Sequence, residues 1–434
     1  MSAAGSARGT LQGMQPLHGE RSPDLQRGLD LARQGRAGEA APLLRMALLE
    51  APTDLEARLC FADALLALGD PNQAIHHLRR ALLQDPGCEG AYERLAPIYR
   101  ACAAHRALGD LLTQWRTVAP DRPELRWEEG ALAFLEGRFD AAWEAMEARF
   151  QVKGQVISLM GPFDRPAWDG RPFPGQTLLL HWEQGLGDTL MFIRFARLAK
   201  SRGGRVIAVV QPPLVPLLEG VEGLDEVVPD GAPLPAHDLQ LPLMSLPRVL
   251  NIHRPEDLET PGPYLKVPAH SPNREMLSRV LRPHPGRRRI GYLWAGGAAY
   301  LNNATRSLPP EALAPLGALA DCDWHCFQLP APAAQPLPST VLGPWLTDFS
   351  DTAFALAQMD LVLTVDTALV HLAGGLGLPA RLLLPLGADW RWGREATRTP
   401  WYPTVRLVRQ PRPGDWAAVI DAVLADLGGP QEGR

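Results

Sequence analysis

Leu361-Val362-Leu363-Thr364-Val365-Asp366-Thr367-Ala368-Leu369-Val370-His371-Leu372-Ala373-Gly374-Gly375 is a short apolar, β-branched run that ends on a carboxylate and passes directly into a helix-forming run. Five residues suit a buried strand, and the change of period at Thr367 marks a helix start. A strand feeding a helix in this way is the building unit of a parallel-sheet α/β fold. The same alternation recurs on both sides. Strands are predicted at Arg289–Trp294, Trp324–Leu329, Ala380–Leu384 and Val405–Val408, with helices at Pro310–Leu319, Asp351–Ala357, Thr367–Gly375 and Asp415–Leu427. An earlier set has strands near Thr177–Trp182, Arg205–Val210, Glu226–Val228 and Asp238–Leu241, with helices at Asp188–Arg202 and Pro213–Leu218. The Pro-rich connection Pro261–Pro285 separates the sets, giving two Rossmann-like halves whose strand ends should line a cleft.

The chemistry concentrates at those strand ends. In the quoted stretch, Thr367 and His371 are four apart and share a helix face. With the free N–H groups of the first turn they could cradle a pyrophosphate; alternatively Asp366 only caps the helix and His371 packs against the sheet. The first half offers His181-Trp182-Glu183-Gln184-Gly185-Leu186-Gly187-Asp188-Thr189-Leu190. Gly185 and Gly187 permit a tight turn and close approach to a ligand. Asp188 is either a helix N-cap or a general base, with Glu183 and Gln184 in the same loop. A dinucleotide fingerprint would need a small residue at Leu190 and an acid after Val210, where Gln211 stands instead. The second half opens with Gly291-Tyr292-Leu293-Trp294-Ala295-Gly296-Gly297, and Arg306 follows with a planar cationic fork suited to phosphate, or with a merely solvated side chain.

Upstream of the α/β sets a different period governs. Pro52, Pro86 and Pro120 recur every 34 residues, as do Gly35, Gly69, Ala103 and Gly137. Ala40, Ala74, Leu108 and Ala142 form a third column, and Gly28, Ala62, Ala96 and Gly130 a fourth. Small residues let paired helices approach, the glycine column ends one helix in a left-handed cap, and the proline stops the next. This pattern resembles the tetratricopeptide repeat from about Arg21 to Phe150, an α-solenoid that offers a surface for a protein or peptide partner or serves as a spacer or dimerisation arm.

Composition excludes several classes. The 434 residues are 46% hydrophobic and 21% charged with a net charge of -5, so the chain is globular, of two or three domains, and lacks the basic surplus of a nucleic-acid binder. Its only lysines are Lys153, Lys200 and Lys266, none in a Walker A setting. Five cysteines include no Cys-x-x-Cys pair, and Cys322, His325 and Cys326 read as a strand entering a core rather than a metal site. The most apolar stretch, Leu361–Leu386, is broken by Asp366, His371 and Arg381, so no membrane span is expected, and the N-terminus lacks the apolar core of a signal peptide. A cytoplasmic location follows as an expectation.

The ordered set Glu183-Gln184-Gly185-Leu186-Gly187-Asp188, Leu293-Trp294-Ala295-Gly296-Gly297 and Asp366-Thr367-Ala368-Leu369-Val370-His371 resembles the heptosyltransferase-like glycosyltransferases of family 9, in particular bacterial members fused to tetratricopeptide repeats. More distantly it resembles the protein O-GlcNAc transferases. The resemblance spans about Gly175–Leu427 and implies a GT-B-like pair of Rossmann-like domains. Residues 1–20 would be a disordered start, 21–156 the repeats, 157–266 the acceptor half and 267–434 the nucleotide-sugar half. It further implies Asp188 as catalytic base and Asp366, Thr367, Ala368, His371, Arg306, Gly296 and Gly297 around the donor nucleotide. Glu183, Gln184, Gly185 and Gly187 would form the acceptor-side loop. The donor would be a nucleotide-diphosphate sugar serving as co-substrate, with no separate cofactor and no obligatory metal. The family's lysine on the donor phosphates has no counterpart after Lys266. A repeat scaffold carrying a silent transferase domain is the alternative.

Overall fold

The computed structural model describes residues 22–152, 163–258, 262–297, 303–394 and 397–428. The expected disordered start at residues 1–20 lies outside them. Eight helices come first: α1 (Pro23–Arg33), α2 (Ala37–Glu50), α3 (Leu55–Ala67), α4 (Pro71–Gln84), α5 (Glu89–Ala101), α6 (His105–Val118), α7 (Pro123–Leu135) and α8 (Phe139–Met146). The columns do what their residue types predict. Ala40, Ala62, Ala74, Ala96 and Ala142 are fully buried, and a Cβ added at Gly28 would press on Leu43 and Leu44 at 3.2 Å. Gly35, Gly69 and Gly137 have φ of 74°, 81° and 75°, and Ala103 takes the same left-handed conformation at 52° despite its Cβ. Each column proline follows a helix end by two residues: Pro52 after Glu50, Pro86 after Gln84, Pro120 after Val118.

Two compact units divide the chain, the first ending at Ile98 and the second beginning at Tyr99. The expected boundary after residue 156 is not where they part. The reason lies in α7 and α8: Gly130, Ala131, Leu132, Ala133, Phe134 and Leu135 are all buried, as are Phe139, Trp143 and Met146. Of these, Ala131, Ala133, Phe134, Phe139, Trp143 and Met146 share one apolar core with the α/β strands. The end of α7, buried on every side from Gly130 to Leu135, belongs to a core, not to the rim of a solenoid.

Both α/β halves lie in the second unit. The first sheet contains β1 (Thr177–His181), β2 (Arg205–Val210), β3 (Glu226–Pro229) and β4 (Leu239–Pro242), all parallel in the order β3-β2-β1-β4. The second contains β5 (Arg288–Leu293), β6 (Cys322–Cys326), β7 (Ser339–Val341), β8 (Leu361–Val365), β9 (Ala380–Leu384), β10 (Arg398–Thr399) and β11 (Tyr402–Arg409). Their order is β10-β11-β9-β8-β5-β6-β7, parallel except for β10 against β11. Without β10 this is the doubly wound Rossmann order, and the first sheet is its shortened counterpart. The strand order reverses beside β1 in one half and between β5 and β8 in the other. Ligands of such sheets bind at the carboxyl ends of those strands.

The helix predicted over Asp188–Arg202 is broken into α9 (Leu186–Phe192), a 3-10 turn at Ile193–Phe195 and a short helix at Ala196–Lys200. The predicted Pro310–Leu319 helix is a 3-10 helix over Pro310–Ala318, where Pro315 removes a donor that an α-helix would use. The Cys322, His325 and Cys326 side chains are buried as expected. Burial pushes the His325 imidazole down to about 4 and raises both thiols. Among the described residues no group of three or more His, Cys, Asp or Glu is placed to hold a metal ion, and no helix is long and apolar enough to cross a membrane.

Candidate functional site

The loop after β1 carries one side chain, Glu183, that turns away from the cleft. Glu183 is buried and accepts two hydrogen bonds from Arg149, from Nε at 2.6 Å and Nη2 at 3.1 Å, and a third from the Met244 N–H at 2.9 Å. It is therefore a structural anchor between the turn after α8 and the first sheet, not part of an acceptor surface. The fully buried Arg149 explains this: an unconditionally charged fork in a core must be met by a carboxylate. Burial raises the Glu183 carboxyl and Arg149 opposes that rise. Gln184 stays at the site. Its carbonyl accepts from Gln211 Nε2 at 3.1 Å, and its own Nε2 is buried without a partner. Gln211, where a dinucleotide fold would place an acid, holds this loop and accepts from the Thr189 hydroxyl at 2.8 Å.

Gly185 is the N-cap of α9, so Asp188 is not the cap but the third residue of the first turn. One carboxylate oxygen accepts from the Gly185 N–H at 2.9 Å, and the other is paired with Arg391. Gly187 is where the halves touch. A Cβ there would stand 2.8 Å from His371 Cδ2 and 3.5 Å from Ala368 Cα, so only glycine permits the approach. The cleft expected between the halves is thus closed at this point.

From the second half, Asp366 follows β8 directly and Thr367 caps the Ala368–Gly375 helix, its hydroxyl accepting from the Leu369 N–H at 3.3 Å. His371 does not lie on an open phosphate-binding face. It is buried, its Nδ1 lies 2.8 Å from the Tyr402 hydroxyl, and its ring stacks on Trp392 with centroids 5.5 Å apart. Burial, with Arg391, Arg194 and Arg306 nearby, holds the imidazole well below its usual range, so it is neutral. The packing reading of this residue is the one its surroundings support. Arg306 does lie at the site: its guanidinium covers Gly296, where a Cβ would meet Nη2 at 2.5 Å. Gly296 donates to the Ser307 hydroxyl at 3.3 Å, and Gly297 beside it is exposed.

Two residues went unread in the sequence. Arg391 and Asp389 lie in the turn after β9, within Gly387-Ala388-Asp389-Trp390-Arg391-Trp392-Gly393. Asp389 caps this turn and binds Arg391 Nη1 at 2.7 Å, while Arg391 Nη2 reaches Asp188. Burial, then the charge of Asp389, raise the Asp366 carboxyl to about 6 against the pull of Arg391 and Arg306. Burial pushes the Arg391 guanidinium down, but Asp389, Asp188 and Asp366 outweigh it. The site is thus three carboxylates interleaved with two guanidinium groups, built from both halves. A Gly-Ala-Asp-Trp-Arg-Trp-Gly turn after a predicted strand was the available signal, a charged pair framed by aromatics where surface loops are usually small and polar.

Residues 31–96 match the tetratricopeptide repeat family model. Over 92% of its length the chain is 25% identical to Protein FlbA of Caulobacter vibrioides (strain ATCC 19089 / CIP 103742 / CB 15), 71% of which is covered. Among solved structures it is similar to the glycosyl transferase family 9 protein from Veillonella parvula DSM 2008, at 11% identity and a TM-score of 0.42, covering 61% of this chain and 92% of that one. It is also similar to MamA of AMB-1, at 21% identity and a TM-score of 0.27, covering 30% of this chain and 78% of that one.

Proposed function

We propose that the protein is a cytoplasmic glycosyltransferase that moves a sugar from a nucleoside-diphosphate donor to a hydroxyl acceptor, with the repeat array recruiting a protein or peptide that carries or presents the acceptor. The observation that carries this reading is the ion pair between Asp188, in the first turn of α9, and Arg391, in the turn after β9, beside the contact of Gly187 with Ala368 at the start of the helix after β8. In this reading helix N–H groups and the two arginines donate hydrogen bonds to the departing diphosphate. In this reading Asp188, a carboxylate from the opposite half, takes the acceptor proton. No separate cofactor is needed, since the donor brings its own leaving group. Metal independence fits the position of the Asp321-x-Asp323 pair. It lies at the amino end of β6, away from the strand ends of the site, with Asp321 2.7 Å from Arg288 and Asp323 2.7 Å from His284.

Thermal-shift screening of the full chain against nucleoside diphosphates, followed by donor-hydrolysis assays on any hit, tests the reading. The expected result is stabilisation by at least one diphosphate and turnover that falls about 10²–10⁴-fold in Asp188→Asn. Binding without turnover would favour the second reading, a repeat scaffold with a silent transferase domain, which the commitment of both Asp188 oxygens to internal partners supports.

A further inference from the structure

Arg391 holds an unusual combination of partners. Nη2 binds Asp188 across the two halves, Nη1 binds Asp389 at 2.7 Å, and Nε is buried with no hydrogen-bond partner. Its guanidinium lies over the Trp390 ring at 4.3 Å from the centroid, and Trp390 is itself stacked on Phe134 at 4.1 Å. The base of the turn is therefore packed against aromatics while the fork at its tip holds two carboxylates, Asp188 and Asp389. A donor diphosphate adds two or more negative charges to a place that already holds Asp188, Asp366 and Asp389. It can enter only if a cation exchanges a carboxylate for a phosphate. No lysine exists in the second half to serve, and Arg391 is the guanidinium that already touches the candidate base.

We propose, on the basis of the transferase reading, that Arg391 receives the donor diphosphate and that its ion pair with Asp188 is the contact the donor displaces. Without donor, Asp188 is spent on Arg391. With donor seated, Arg391 turns to the phosphate oxygens and Asp188 is released. The acceptor O–H proton then passes to the Asp188 carboxylate and the acceptor oxygen bonds the anomeric carbon. The bond from that carbon to the phosphate oxygen breaks, and its electron pair leaves with the nucleoside diphosphate. The ion pair couples base activation to donor occupancy.

The test is calorimetric titration of the full chain and its variants with UDP, GDP, ADP and CDP. The expected result is that at least one binds, that Asp188→Asn binds it about three- to tenfold tighter because the competitor for Arg391 is gone, and that Arg391→Gln binds it at least about tenfold weaker. Arg391→Lys keeps the charge but loses the fork, and binding at least about threefold weaker is expected, so the point stands even if Arg391→Gln fails to fold. Tighter binding in Asp188→Asn is the outcome a purely structural ion pair would not produce. If a diphosphate binds the parent chain and Asp188→Asn leaves its affinity unchanged or lower, the inference is overturned while the transferase reading stands. If the parent chain binds none of the four, the transferase reading falls and takes the inference with it.

Discussion

Helices α3–α4 and α7–α8 are drawn to the same 34-residue ruler but serve different ends. The first pair packs on Ala57, Phe61, Ala62, Ala64, Ala74, Leu78 and Ala81, and leaves Leu68 and Leu83 exposed. Residues Asn72, Ile75, His76, Arg79, Arg80 and Leu83 of α4 line an open groove of about 570 Å³. The second pair has no such spare face. Phe134 stacks on Trp390, and Trp143 meets Phe192, Trp390 and Trp401 edge-on with centroids 6.0–6.3 Å apart. A repeat built of alanine and leucine buries enough to stack on its neighbour, whereas one built of large aromatics must be met by another body. Small residues keep the repeat a module, and aromatics turn it into part of the α/β core that carries Arg391.

The largest effect should come from the charged weld between α8 and the first sheet. Arg149→Met strands Glu183 in the core and should cost about 3–5 kcal/mol, measured by chemical denaturation with the tryptophans of the second unit as probes. Converting both, Arg149→Met with Glu183→Met, should recover most of the loss. A double variant as unstable as the single one would show that the pair does more than neutralise itself.

The aromatic weld comes next. Trp143→Ala should cost about 3–5 kcal/mol and Leu44→Ala in α2 about 2–5 kcal/mol, yet their reach should differ. Hydrogen exchange should quicken in β8 and β9 for Trp143→Ala and stay at the parent rate there for Leu44→Ala. Equal loss of protection in the two variants would erase the distinction between the pairs.

A smaller effect is expected from acid. The folded-state carboxyl of Asp366 stands at about 6, above its ordinary 3.8, so its ionised form is disfavoured by folding. Stability should therefore fall as pH rises from about 4 to about 6, level off above 7, and change on the order of 3 kcal/mol in all. Asp366→Asn should flatten that slope in melts across this range; an unchanged slope would assign it to other groups.

The smallest effect lies at the irregular third repeat. Ala103 holds φ of 52° where the other repeats have glycine, and Ala103→Gly should raise stability by about 1 kcal/mol, read from the midpoint of urea unfolding. No gain would mean that the turn has relaxed around the Cβ.

Local chemistry by itself determined a good deal of this protein. The 34-residue columns, the strands and the loops with special backbone geometry are short-range matters of period, left-handed φ and burial pattern, and β1, β2, β5, β8 and β9 fall within a residue or two of where their apolar runs put them. Motif positions were legible for the same reason, since strand ends and helix starts are marked by Gly185, Gly187, Asp366 and Thr367 in sequence order. Partnership was decided only by the tertiary structure. That Glu183 answers Arg149, that His371 is sealed by Gly187 and Tyr402, and that Asp188 is held by Arg391 over a separation of 203 residues are consequences of which surfaces the two halves and the last helix pair bury together. Charge pairing in a low-dielectric interior follows spatial proximity, and proximity between distant segments leaves no periodic trace in the chain.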